Sequence, residues 1–307
     1  METERGGCDR YAANVALGDT PHCELRVGAA IVSSMRIALC QIPVSDDISV
    51  NLTRVRGALK EAAGHGAELA VFPEATMVRF GSDLRAAAEP VDGPFCSAVG
   101  EECAVARVAA VVGVFEPAPG GRVYNTAVAY AADGSLAATY RKLHLFDALG
   151  QLESELVAPG AAPVLADLAG APVGLQICYD IRFPELTRAL AVSGARLVTV
   201  SAAWQAGLFK EEHWVTLLRA RAIENTVWIA AVGQVPDPDA KPTRAPTGIG
   251  RSMLIDPLGV VRADLGPAAS VSVVEADLTL VDSVRATLPS LANRREDVFG
   301  PALPGPA

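Results

Sequence analysis

Short apolar runs alternate with stretches of helical spacing along most of this chain. Residues 36–42 are almost wholly apolar, as a strand covered on both faces would be. In 51–63, Leu52, Val55, Leu59, Ala62 and Ala63 recur at helical intervals and stop at Gly64 and Gly66, which predicts a helix. A second strand, 69–72, runs straight into Pro73 and Glu74. Next come a helix over 97–110, a strand over 111–115, and strands over 123–130 and 136–140 flanking Asp133 and Gly134, a strong hairpin signal. Segments 164–168 and 173–178 read as strands, and Pro184 opens a helix continuing over 185–192. The pattern ends with a strand (197–201), a long helix (211–225), a strand (227–235), a hairpin (252–256 with 260–263), a strand (270–276) and a helix (279–288). Mixed βα units and hairpins predict an α/β protein with mixed sheets.

The ends break this pattern. Residues 1–34 have little periodicity and no basic stretch leading into an apolar one, so they read as a poorly ordered extension and not as a signal peptide. Met35 reads as the start of one domain over 35–298, with a Pro/Gly-rich flexible tail over 299–307. No apolar run reaches the ~18 residues of a membrane span. A net charge of −9 disfavours nucleic acid. The six cysteines contain no CxxC and the four histidines no paired spacing, which excludes a zinc-type site and suggests a reducing, cytoplasmic setting. No GxGxxG follows the first strand and no phosphate-binding GxxxxGK[ST] occurs.

Three strand ends carry candidate chemistry. Cys178 closes a strand a few residues before a Pro-initiated helix, where a sharp turn lifts a side chain clear of the sheet and a helix end favours thiolate; by itself it reads as a small buried hydrophobe at a strand end. Glu74 follows a fully apolar strand, and burial would tune such a carboxylate toward general-base work, although a surface loop would also suit it. Lys142 offers a cation for a thiolate or an oxyanion, or else an exposed basic pair with Arg141.

Taken together with their flanks, these positions are more specific. FPE at 72–74, YRKLHLFD at 140–147 and CYDIRFPE at 178–185 resemble, in order, the three catalytic blocks of the nitrilase, or carbon–nitrogen hydrolase, superfamily. The resemblance runs from about residue 35 to 298. It implies a four-layer αββα sandwich with two mixed sheets, commonly paired as a homodimer, and no cofactor. It implies Cys178 as nucleophile, Glu74 as general base, and Lys142 with the Tyr179 N–H as oxyanion donors. A second glutamate orients the lysine: Glu153 fits, with Glu155 close by. CYDIRFPEL, HW at 213–214 and RARAIEN at 219–225 are similar to the branch of ω-amidases and deaminated-glutathione amidases, which cleave amides of small carboxylated compounds.

The substrate is less legible. Arg182, four residues after the nucleophile, reads either as a clamp for a substrate carboxylate or as the partner of Asp180 or Glu185. Trp204 stands where smaller patterns occur in characterised amidases and would reshape the pocket, as would the loop 236–246. N-carbamoyl amides and nitriles are the alternative substrates within the superfamily; a lipoprotein acyltransferase would need membrane spans. His144 or His213 as the base of a Cys–His hydrolase, and a silent scaffold used for binding, are the rival readings.

Overall fold

The computed structural model describes residues 32–239 and 244–300. The expectations for the extension before residue 32 and the tail beyond residue 300 lie outside the described residues. In chain order the first half is β1 (Ser34–Gln41), α1 (Ile48–Gly64), β2 (Leu69–Val71), the one-turn α2 (Leu84–Ala87), α3 (Pro94–Ala106), β3 (Ala109–Ala118), β4 (Arg122–Tyr130) and β5 (Leu136–Arg141). The second half is β6 (Leu165–Leu168), β7 (Ala171–Ile177), α4 (Pro184–Val192), β8 (Leu197–Ala202), α5 (Lys210–Asn225), β9 (Trp228–Gly233), β10 (Met253–Ile255), β11 (Val261–Asp264), β12 (Ser270–Asp277), α6 (Thr279–Thr287) and α7 (Glu296–Phe299).

These strands form two six-stranded mixed sheets, ordered β12-β1-β2-β3-β4-β5 and β11-β10-β9-β8-β7-β6. Strands β1, β2 and β3 run parallel, as do β7, β8 and β9, while the flanking strands pair antiparallel. Alternation along each strand decides which layer a residue joins. Ile37, Leu39, Val71 and Val111 turn inward to meet Val173, Leu175, Val200 and Ile229 of the second sheet. Their neighbours Ala38, Cys40, Ala70 and Val112 turn outward onto Val55 and Leu59 of α1 and Phe95 and Val99 of α3. Leu186 and Leu190 of α4 and Trp214 and Leu218 of α5 cover the second sheet. The result is the expected αββα sandwich, and central strands buried on both faces explain the near-continuous apolar runs.

The junction of α3 and β3 differs most from the sequence reading. The helix predicted over 97–110 stops at Ala106, because Arg107 turns left-handed (φ 56°) and donates its N–H to Cys103 O; Ala109 and Ala110 already belong to β3. A run of small apolar residues fits either period, and no glycine marks the stop. Helix α2 is too short to show a period at all.

Candidate active site

The C-terminal ends of β2, β5, β7 and β8 converge on one cavity of about 290 Å³, the place where parallel strands leave a crevice for ligands. Two hydrogen bonds knit the sheets together there: Ser201 Oγ donates to Phe72 O (2.7 Å), and Ala203 N donates to Glu74 Oε2 (2.8 Å). Glu74, Lys142, Glu153 and Cys178 all line this cavity, with Tyr179 and Trp204 beside them.

Glu74 sits in a turn whose next residue, Ala75, is left-handed (φ 58°). The turn lies flat against Gly113 of β3, and Met77 N donates to Gly113 O (3.0 Å). A Cβ at Gly113 would come within 2.6 Å of Ala75 N and of Pro73 O, so only glycine lets the turn approach. Lys142 and Arg141 part company as strand neighbours must: Arg141 turns to Glu116 (2.8 Å), and Lys142 turns inward with 2 % of its side chain exposed. The Lys142 backbone is pinned from both sides, donating to Asn125 O and accepting from Gly160 N, each at 2.8 Å.

Lys142 Nζ bridges two carboxylates, at 2.9 Å from Glu74 Oε1 and 3.0 and 2.9 Å from the two oxygens of Glu153. Asn125 Nδ2 donates to Glu74 Oε1 (2.8 Å) and to Glu153 Oε1 (3.2 Å), so one amide holds both acids apart. Burial alone would pull Lys142 down, but Glu153 and then Glu74 more than offset it and hold the ammonium's pKa well above its usual range. Glu153 also accepts from Phe146 N (2.6 Å). Glu153 lines the cavity and Glu155 does not.

Cys178 follows β7 with a left-handed backbone (φ 47°), unusual without glycine and of a kind found where a site holds strain. Asp180 holds the turn: its carboxylate accepts from Ile177 N (3.0 Å), Tyr140 Oη (2.6 Å) and His144 N (3.0 Å), and lies 2.8 Å from His144 Nδ1. The nucleophile turn and the lysine block are thereby tied to one buried acid. Cys178 is partly exposed and lines the same cavity as Glu74. Burial first, then Glu74, pushes the Cys178 pKa well above its ordinary value, against the pull of Lys142. The thiolate that a helix end would favour is thus opposed here by burial and by the nearby carboxylate.

Several sequence-level readings change. Arg182 does not line the cavity and does not pair with Asp180, whose oxygens are taken; its guanidinium sits 5.0 Å from the Trp204 ring centroid and 3.4 Å from His213 Nδ1. His144 stacks on Phe183 (3.7 Å, 7°) with its Nδ1 on Asp180, and His213 stands with Arg182, so neither lines the cavity as a base. Lys210, at the start of α5, was not singled out, yet it lines the cavity with its Nζ 4.6 Å from the Trp204 ring and 5.1 Å from the Phe146 ring. A lone lysine opening a helix carries no sequence signal. For Asn125 the sequence signal is a polar Asn-Thr pair inside an apolar strand. Among the described residues there is no cluster suited to a metal ion, and no helix is long and apolar enough to cross a membrane.

The chain is similar to several known proteins. A family model described as carbon-nitrogen hydrolase matches residues 36–286. A Mycobacterium tuberculosis protein named Hydrolase Rv0480c is 43% identical over 272 residues, covering 86% of this chain and 97% of that protein. The deaminated glutathione amidase of Escherichia coli O157:H7 is 35% identical over 266 residues, covering 85% and 97%. A variant amidase from Nesterenkonia sp. AN1 was solved with the acetamide moiety of fluoroacetamide added covalently at its active-site cysteine. It superposes with a TM-score of 0.73 at 25% identity, covering 88% of this chain and 98% of that one.

Proposed function

The chain belongs to the carbon–nitrogen hydrolase family and is a hydrolase acting on amides; from that premise we propose that it cleaves the amide of a small carboxylated compound through a thioester on Cys178. The observation that carries this reading is the placement of Glu74. Its carboxylate lines the same cavity as Cys178 while being held by Lys142, Asn125 and the Ala203 N–H. The covalent adduct at the active-site cysteine of the Nesterenkonia amidase supports the same choice of nucleophile.

The chemistry is a two-step acyl transfer. As Sγ attacks the amide carbon, its proton passes to Glu74. The carbonyl oxygen becomes an oxyanion, met by the Lys142 ammonium and by the Tyr179 N–H, which, at the start of a helical turn, has no intrahelical acceptor. The C–N bond then breaks, Glu74 returns its proton to the departing nitrogen, and ammonia or an amine leaves. Water, deprotonated by Glu74, attacks the thioester; the acid departs and the proton returns to Cys178. Glu153 never touches the reacting atoms in this scheme: it keeps Lys142 aimed and charged. A homodimer in a cytoplasmic setting, implied by the family resemblance and the cysteine usage, belongs to the same reading.

The test is an ammonia-release screen over small ω-amides, N-carbamoyl compounds and nitriles, with Cys178→Ala as control and hydroxylamine added to intercept the thioester as a hydroxamate. We expect release from the ω-amides and hydroxamate formation, both lost in Cys178→Ala. Ammonia release that persists in Cys178→Ala, or none from any ω-amide, overturns the proposal.

A further inference from the structure

The cavity is lined by two lysines in different states. Lys142 is committed to Glu74 and Glu153. Lys210 is 5% exposed, and among the described residues no carboxylate lies within ion-pair distance of it. The neighbouring Glu211 turns outward to Arg251 (3.3 Å). Instead of an acid, the Lys210 ammonium has the faces of Trp204 and Phe146, and its own carbonyl accepts from Trp204 Nε1 (2.8 Å), which fixes the start of α5 against the indole. Two further polar atoms on this cavity, Ser82 Oγ and Gln205 Oε1, are buried without a hydrogen-bond partner.

A buried cation without a counter-charge is costly unless something else neutralises it. The groups facing it are π-rings, neighbouring Arg182 repels it, and α5 begins here with the positive end of a sixteen-residue helix. The unpaired ammonium, Arg182 and the helix end all favour an incoming anion; the ring faces hold the ammonium but supply no negative charge. Resting on the amidase reading above, we infer that Lys210 is the anion-binding residue of the cavity: it holds the carboxylate end of the substrate while the amide end meets Cys178. Ser82 and Gln205 then flank the bound molecule as hydrogen-bonding groups. Arg182 is absent from the cavity lining, its guanidinium 5.0 Å from the Trp204 ring centroid, so the carboxylate clamp that is one of its two sequence readings falls to a residue on a different element. The selectivity this predicts is for amides that carry a negative charge at the far end of a short chain.

The test compares glutaramate, whose carboxylate sits three methylenes from its amide, with pentanamide, in which a methyl group replaces that carboxylate. A charge-assisted contact in a partly dry site is worth about 10- to 100-fold. Wild-type protein should favour glutaramate in kcat/KM by about that factor, Lys210→Met should collapse the ratio mainly through KM, and Lys210→Arg should restore part of it. Glutarate should slow iodoacetamide labelling of Cys178 in the wild type and fail to do so in Lys210→Met and Lys210→Gln. A ratio unchanged within about threefold in the Lys210 variants, or equal glutarate protection with and without the lysine, overturns the assignment. If neither of these amides nor any other ω-amide of the screen is hydrolysed, the ω-amide reading fails, while glutarate protection still decides Lys210; if both are hydrolysed with no dependence on Lys210, only the anion site fails.

Discussion

Replacing Gly113 with alanine tests whether a β3 residue that touches no substrate sets the catalytic geometry. The added methyl would lie 2.6 Å from Ala75 N and 2.6 Å from Pro73 O, where ordinary contact begins at 3.4 Å, so the turn carrying Glu74 must retreat by 3.4 − 2.6 = 0.8 Å. The obstructing atoms are backbone, so no side-chain rotation relieves them. Glu74 now holds contacts of 2.8, 2.9 and 2.8 Å to Asn125, Lys142 and Ala203, and a shift of that size stretches them beyond good hydrogen bonds. Misplacing a reacting group by about 1 Å costs on the order of 100-fold in rate, whereas overpacking of this kind costs about 1–3 kcal/mol of stability. The variant should therefore fold, lose only a few degrees in thermal midpoint, and fall about 30- to 100-fold in amide turnover and in the iodoacetamide labelling rate of Cys178, since both draw on the base. Gly57→Ala serves as the control, because its Cβ meets nothing within 4 Å. A folded Gly113→Ala protein with turnover within about twofold of wild type refutes the argument that this close approach positions Glu74.

Two further outcomes follow from the same charges. Lys142→Ala should lower turnover by on the order of 100- to 1,000-fold through loss of the oxyanion donor. It should also destabilise the fold by about 3–5 kcal/mol, because it leaves Glu74 and Glu153 buried without their counter-ion; an unchanged thermal midpoint with near-normal turnover removes Lys142 from both roles. Stability should fall in alkali: burial raises Cys96 to about 11 and Cys103 to about 12 from an ordinary 9.0, so above about pH 9 the unfolded chain sheds protons that the folded chain keeps. That contribution is complete below pH ~9 and is lost as the pH climbs through the folded values, by up to ~1.4 kcal/mol per thiol per pH unit. Denaturant midpoints measured from about pH 8 to 11 should show the decline, and Cys103→Ala should make it shallower; a flat profile refutes it.

What was legible in the sequence is what local pattern and chain order carry. Apolar runs of strand length marked nearly every central strand, since burial on both faces leaves no polar positions to confuse the period. Proline and glycine marked the start of α4 and the β4–β5 hairpin. Glu74, Lys142 and Cys178 each stand at a strand end and alone suit a structural role; it is the resemblance of their three flanking blocks, in order, to those of the carbon–nitrogen hydrolases that makes them specific. Tertiary structure decided everything that depends on distance between those blocks. It sent Lys142 inward and Arg141 outward, placed one buried amide, Asn125, on two carboxylates, and turned Asp180 to Tyr140 and His144, leaving Arg182 to stack on Trp204. It also brought Lys210, distant in the chain from Glu74, Lys142 and Cys178 and opening an otherwise ordinary helix, onto their cavity. A sequence lists charges in order along one dimension, but a proton's affinity, a lysine's lack of a partner and the reach of a thiol are set by neighbours tens to hundreds of residues away, and only the packed sheets bring those neighbours within a few ångströms.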